Sequence, residues 1–208
     1  MMKIISLAML SALAISAKTL VVPLQNPEDC ASGMHVDFQI GGIKNLGLVA
    51  GHANHCTRND RILMRFDLGG LYLPNQKPTI QKATLKLYLW YIVKKDNQDR
   101  TLSLFGMDFD PIAFKVADLA KTNTVPCGTA STAALKKHPP QGDDGLIQFD
   151  VTSYIDSCLQ KNYGYATFRL HDEAGDKVND NRQAWCTIIQ GFYAGHKHCY
   201  PTLIIEYK

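Results

Sequence analysis

The segment Ala83-Thr84-Leu85-Lys86-Leu87-Tyr88-Leu89-Trp90-Tyr91-Ile92-Val93 decides the fold class. Leu85, Leu87 and Leu89 alternate with Thr84, Lys86, Tyr88 and Trp90. In an extended chain successive side chains point to opposite faces, so a period of two buries one face and leaves the other outward. Arg61–Leu68 (RILMRFDL) repeats the rhythm and puts Ile62, Met64 and Phe66 on one side. Further strands are predicted at Thr101–Met107, Gly145–Val151, Tyr163–Leu170, Ala184–Gln190 and Thr202–Tyr207, with weaker ones at His35–Ile40 and Leu46–Ala50. Gly69-Gly70, Pro74-Asn75, Lys77-Pro78 and Asp96-Asn97 punctuate them as turns. Thr152–Gln160 reads as a helix capped by Thr152 or Ser153, and Lys115–Lys121 as a second short helical turn. Many short strands with few helices predict an all-β, jelly-roll-like antiparallel sandwich with one or two short helices. Two polar stretches, Lys121–Asp144 and His171–Gln183, read as long loops within that single domain.

The chain has 208 residues, with 22 Lys and Arg against 19 Asp and Glu. A formal charge of +3 lacks the basic excess expected of a nucleic-acid binder. Lys3 followed by the apolar run Ile4–Ile15 and small residues up to Ala17 has the form of a secretory signal, 1–17. The run stops at Lys18, short of the roughly 20 apolar residues a spanning helix needs. The expectation is therefore a secreted, extracellular domain over 18–208, with a polar N-terminal arm at 18–29. Secretion favours disulfides, and Cys30, Cys56, Cys127, Cys158, Cys186 and Cys199 form an even set. Their 15 possible pairings stay open, and without a CxxC pair they read as structural staples.

The order of motifs carries a resemblance. RILMRFDL at 61–68 is followed by TIQKATLKLY at 79–88, then FDVT at 149–152, Gly164, and the closing PTLIIEY at 201–207, with Asn45-Leu46-Gly47 near the start. This arrangement resembles the DNRLRE-type secreted domain, a β-sandwich related to alginate- and pectin-type carbohydrate-binding modules. The likeness covers about 35–207 and implies a sandwich that is mainly non-catalytic. Asp67 and Asp150 stand at strand ends, where carboxylates cap backbone N–H groups.

Candidate chemistry is sparse. No G-x-S-x-G, H-E-x-x-H or Walker pattern occurs, and Asp143, Asp144, Asp172, Glu173 and Asp176 lie in loops with no spacing that sets them as a glycosidase pair. An enzyme is not expected, nor a required cofactor. His52 and His55 precede Cys56, and His196 and His198 precede Cys199; four imidazoles brought together would suit a transition metal. Asp172, Glu173, Asp176, Asn179, Asp180 and Asn181 offer oxygen ligands for calcium, without EF-hand spacing. For sugar binding, Tyr88 and Trp90 share the face opposite the leucines, with Lys86 and Lys94 nearby. Lys95, Arg100, Lys136 and Lys137 add positive charge for an acidic polymer. Two functions follow: a non-catalytic binder of extracellular polysaccharide, or a self-assembling structural subunit of a fibre, coat or matrix. In the second, Thr19–Val22 would add as a strand to a neighbouring copy.

Overall fold

The computed structural model describes residues 16–24, 26–33, 39–40, 48–52, 59–74, 77–93, 99–137, 142–172, 185–189 and 200–208. The strands among the described residues are β1 (Lys18–Pro23), β2 (Cys30–Gly33), β3 (Gln39–Ile40), β4 (Leu48–His52), β5 (Asn59–Asp67) and β6 (Ile80–Val93), then β7 (Thr101–Met107), β8 (Thr124–Ser131), β9 (Leu146–Asp150), β10 (Tyr165–His171), β11 (Trp185–Ile189) and β12 (Thr202–Tyr207). Among the described residues the one α-helix, α1, spans Thr152–Gln160. All strand pairs described are antiparallel. One sheet runs β1-β12-β6-β9 and the other β3-β2-β5-β10-β7-β8; β4 and β11 link β5 to the far half of β6. The fold is an all-β antiparallel sandwich.

The alternation read from the sequence builds the core. Leu85, Leu87 and Leu89 of β6 face Ile62, Met64 and Phe66 of β5 in one buried cluster with Phe168 of β10 and Phe149 of β9. Phe66 and Tyr154 each meet the Phe168 ring edge-on, with centroids at 5.9 and 5.0 Å. Such pairs add about 0.5–1.5 kcal/mol beyond area burial. Helix α1 closes one side of this core with Tyr154, Ile155, Cys158 and Leu159. Its entry is fixed by Asp150, whose Oδ1 accepts from the Thr152 amide (3.0 Å) and hydroxyl (2.6 Å). The Thr152 hydroxyl oxygen in turn accepts from the Ala83 amide at 2.9 Å, tying the helix start to β6. Asp67 works similarly at the end of β5, accepting from the Gly69 amide at 2.7 Å.

The second sheet is covered on its outer side as well. Residues 108–121, which include a 3-10 turn at Val116–Ala120, form a strap across β5 and β10. Phe114 and Leu119 of the strap pack with Ala31 and Leu63 in a small second core. Arg65 Nη1 donates to the carbonyls of Pro111 (2.9 Å) and Ile112 (2.6 Å), while its Nε meets Asp29 Oδ1 at 2.7 Å. Arg61 donates to Leu119 O at 2.6 Å, and Arg169 to Lys121 O at 2.6 Å. Arg65 also lies 4.6 Å from the Tyr165 ring centroid.

Several expectations change. The stretch 121–144 contains a true strand, β8, which pairs with β7 from Thr101↔Ser131 to Met107↔Thr124. Its polar sequence suits an edge, where Pro126 is tolerated, and a register shift accompanies Gly128 at φ +119°. The segment 18–29 is not a free arm, because Lys18–Pro23 pair with β12 along their whole length. Of the six cysteines expected to act as structural staples, Cys30, Cys127 and Cys158 are described with their side chains, and no disulfide joins described residues. Cys30 and Cys158 sit in the apolar core, where a thiol behaves as a small hydrophobe. Burial pushes the Cys127 and Cys158 thiols up to about 11 and about 12, away from reactive thiolate. Cys56 and Cys199 lie outside the described residues, and for Cys186 only its backbone place in β11 is described.

Tyr154 locks helix to sheet. Its ring lies over Gly106 of β7, where an added Cβ would come within 2.3 Å of it. Its hydroxyl oxygen accepts from the Thr167 amide at 3.2 Å, and its single proton serves the carbonyl of Thr167 (2.7 Å) or Met107 (2.9 Å). Gly106→Ala should therefore lower the unfolding free energy by about 1–3 kcal/mol, the usual cost of overpacking. Urea denaturation of the variant beside the parent measures it, and an unchanged midpoint would contradict this packing.

Candidate carbohydrate-binding face

The outward residues of β6 lie in the middle of the first sheet, so their neighbours follow from register. Lys82, Thr84 and Lys86 stand opposite Glu206, Ile204 and Thr202 of β12. On the other side Thr84, Lys86 and Tyr88 stand opposite Asp150, Gln148 and Leu146 of β9. One row across the face therefore reads Pro23, Thr202, Lys86, Gln148, and the next Val21, Ile204, Thr84, Asp150. Lys86, Tyr88 and Trp90 are half-buried on this face, while Leu85, Leu87 and Leu89 are fully buried beneath. Three of the four predicted sugar contacts thus share one surface; Lys94 lies outside the described residues.

The face has a local irregularity that sequence does not announce. Leu89 pairs with Ile189 and Tyr91 with Ile188, so Trp90 is the extra residue of a β-bulge. Bulges bend a strand and re-aim a side chain, and they concentrate beside functional sites. Charge is also uneven along the strand. Lys82 has Glu206 as its cross-strand partner and lies close enough to Asp150 to lower its pKa. The cross-strand neighbours of Lys86 are the neutral Thr202 and Gln148. Asp150 itself is held below the usual carboxylate range chiefly by the Thr152 hydroxyl. Two half-buried aromatic side chains beside one cation and two neutral hydrogen-bonding groups offer the chemistry that meets the C–H face of a pyranose and a carboxylate on it.

The other predicted groups either lie outside the described residues or have other places. Asp144 accepts from the Lys136 and Lys137 amides at 2.8 and 2.9 Å, so it ties down its own loop. His52 occupies the last position of β4, opposite Trp185 and Asn59 in register; His55, His196 and His198 lie outside the described residues. Among the described residues no group of three metal-ligating side chains occurs. Asp172 is buried, and the rest of the calcium candidates, 173–181, lie outside the described residues.

Sequence reasoning missed a second polar cluster at one end of the sandwich. Asp108 binds the Lys161 ammonium, accepts from the Tyr163 hydroxyl at 3.1 Å and from the Asn123 amide group at 3.2 Å. Nearby, Asp110 accepts from the Gly164 amide at 2.7 Å, and the Tyr72 hydroxyl donates to the Tyr163 carbonyl at 2.6 Å. Beside Tyr72 opens a groove of about 410 Å³. The one local signal is Asn162, at φ 57° just after α1, a conformation Asn adopts more readily than most residues. Compared with known protein families and curated proteins, the chain matches no family model and no curated sequence. Among the described residues no helix is long and apolar enough to cross a membrane.

The Asp108–Lys161 pair gives a pH dependence of known sign. The bond from Lys161 is the main cause holding Asp108 below the usual carboxylate range, and the same bond raises Lys161. A lowered carboxylate stabilises fully above about pH 4 and loses that contribution as pH falls through its folded value. A raised lysine stabilises fully below about pH 10 and loses that contribution as pH climbs through its folded value. Lys161→Gln should be slightly less stable than the parent at pH 7, with the gap narrower at pH 3. Paired urea titrations at the two pH values test this; a constant gap would rule the ion pair out.

Proposed function

We propose that the protein is an extracellular, non-catalytic β-sandwich that holds polysaccharide against the outer face of its first sheet. The observation that carries this reading is the bulge at Trp90, set in line with Tyr88 and Lys86 on the outward side of the central strand. The motif resemblance to DNRLRE-type domains supports it, as does the neutral polar setting of Lys86 between Thr202 and Gln148. Acidic polymers are the favoured class, because Lys86 is a cation whose cross-strand neighbours carry no charge. The sequence 1–17 supports export. The alternative, assembly by donation of Thr19–Val22, has less support, because that segment is already paired with β12 in its own sheet.

Native affinity electrophoresis in gels cast with acidic polysaccharides tests the proposal. The parent should be retarded, and Trp90→Ala should weaken the apparent affinity roughly tenfold, the equivalent of 1.4 kcal/mol. Lys86→Ala should weaken binding to acidic polymers most at low salt, where surface charge is least screened. Migration unaffected by every polymer, or retardation untouched by both substitutions, would overturn the proposal.

A further inference from the structure

We propose that the end of the sandwich built from the 68–74 turn, the 161–164 turn and the 108–115 strap is a self-association surface. In it Ile112 of each of two copies enters the groove of the other about a twofold axis. Ile112 is 96% exposed, the extreme among the exposed large hydrophobic residues described. It is nevertheless held firmly, since the buried Arg65 guanidinium binds both its own carbonyl and that of Pro111. With the backbone fixed in advance, less conformational entropy is lost when this side chain docks.

The matching cavity lies at the same end. Its floor is Leu71 and Leu159, its walls include Tyr72 and Leu73, and Lys77 and Asn162 stand on its rim. Six large hydrophobic residues are exposed among the described residues, and three of them are Ile112, Tyr72 and Leu73. A fourth, Val125, follows two residues after Asn123, which binds Asp108 in the same cluster. Such concentration marks an interaction surface, because scattered single residues need no explanation.

Two further features select a second copy as the occupant. Asp110 is exposed two residues before Ile112, and Lys77 is exposed on the groove rim. A knob entering the groove would therefore bring a carboxylate to an ammonium, and opposite charges fix register. Knob and groove also flank one turn: Gly164 binds Asp110 on one side, and Tyr163 receives the Tyr72 hydroxyl on the other. Contact can thus be reciprocal, as a twofold interface requires. None of these residues belongs to the sheet face around Trp90, so the two proposals stand or fall separately.

Sedimentation velocity of the purified full-chain product, from roughly 1 to 500 µM, tests the inference. A monomer–dimer equilibrium that saturates at the dimer is expected. Ile112→Lys and, independently, Leu73→Glu should each weaken it at least ~30-fold, as central interface residues do, with melting temperatures unchanged. Lys77→Asp should also weaken it, and adding Asp110→Lys should restore it. A monomer at every concentration would overturn the inference. So would a dimer indifferent to Ile112→Lys and Leu73→Glu, growth beyond the dimer, or a charge swap that restores nothing.

Discussion

The outer half of this structure depends on arginines binding main-chain carbonyls. A sheet with leucine and aromatic groups on both faces needs a second cover, and a strap that crosses it buries carbonyl groups that must find donors. Arg61, Arg65 and Arg169 project from β5 and β10 and supply those donors to residues 111, 112, 119 and 121. A guanidinium suits the task because its fork presents several N–H groups in fixed directions. Burying the cations is tolerable where a carboxylate compensates, as Asp29 does for Arg65. From this clamp follow the second small core under Phe114 and Leu119 and the placing of Asp108 and Asp110 against Lys161 and Gly164.

What could be read in advance was whatever depends on near neighbours in the chain. Alternation in β5 and β6 gave both core faces and put Lys86, Tyr88 and Trp90 on one surface. The helix at Thr152–Gln160 and the capping carboxylates at Asp67 and Asp150 are equally local. β8 was hidden because an exposed edge imposes little apolar rhythm, and its burial follows mixed, largely exposed positions. The strand tendency of Thr19–Val22 was legible but its partner was not, because β12 lies about 180 residues away in the sequence. The bulge at Trp90 was not legible either, since it exists only relative to Ile188 and Ile189. The groove at Leu71 and Leu159 requires that residues 68 and 164 meet, which the Leu68 amide does by donating to Gly164 O at 2.9 Å.

An even count of cysteines argues for cross-links, and of the six Cys30 and Cys158 lie within the apolar core. Helix α1 is joined to the sheets by Tyr154, through its ring against Gly106 and its hydroxyl among the Thr167 and Met107 backbone groups. Burial raises that hydroxyl well above its ordinary value, so it remains a neutral donor.

The pairing of β1 with β12 has a practical corollary. Lys18 lies opposite Tyr207, and the two ends of the folded sandwich leave from one corner, beside Ile80. Trp90 sits at the other end of β6 from that corner. A short peptide joining Lys208 to Lys18 would close that backbone into a ring with little distortion, and the ring could be reopened at Gly142, where a side chain would meet open space. Cargo joined directly at Lys18 or at Lys208 would leave from that same corner, away from the aromatic end of the sheet.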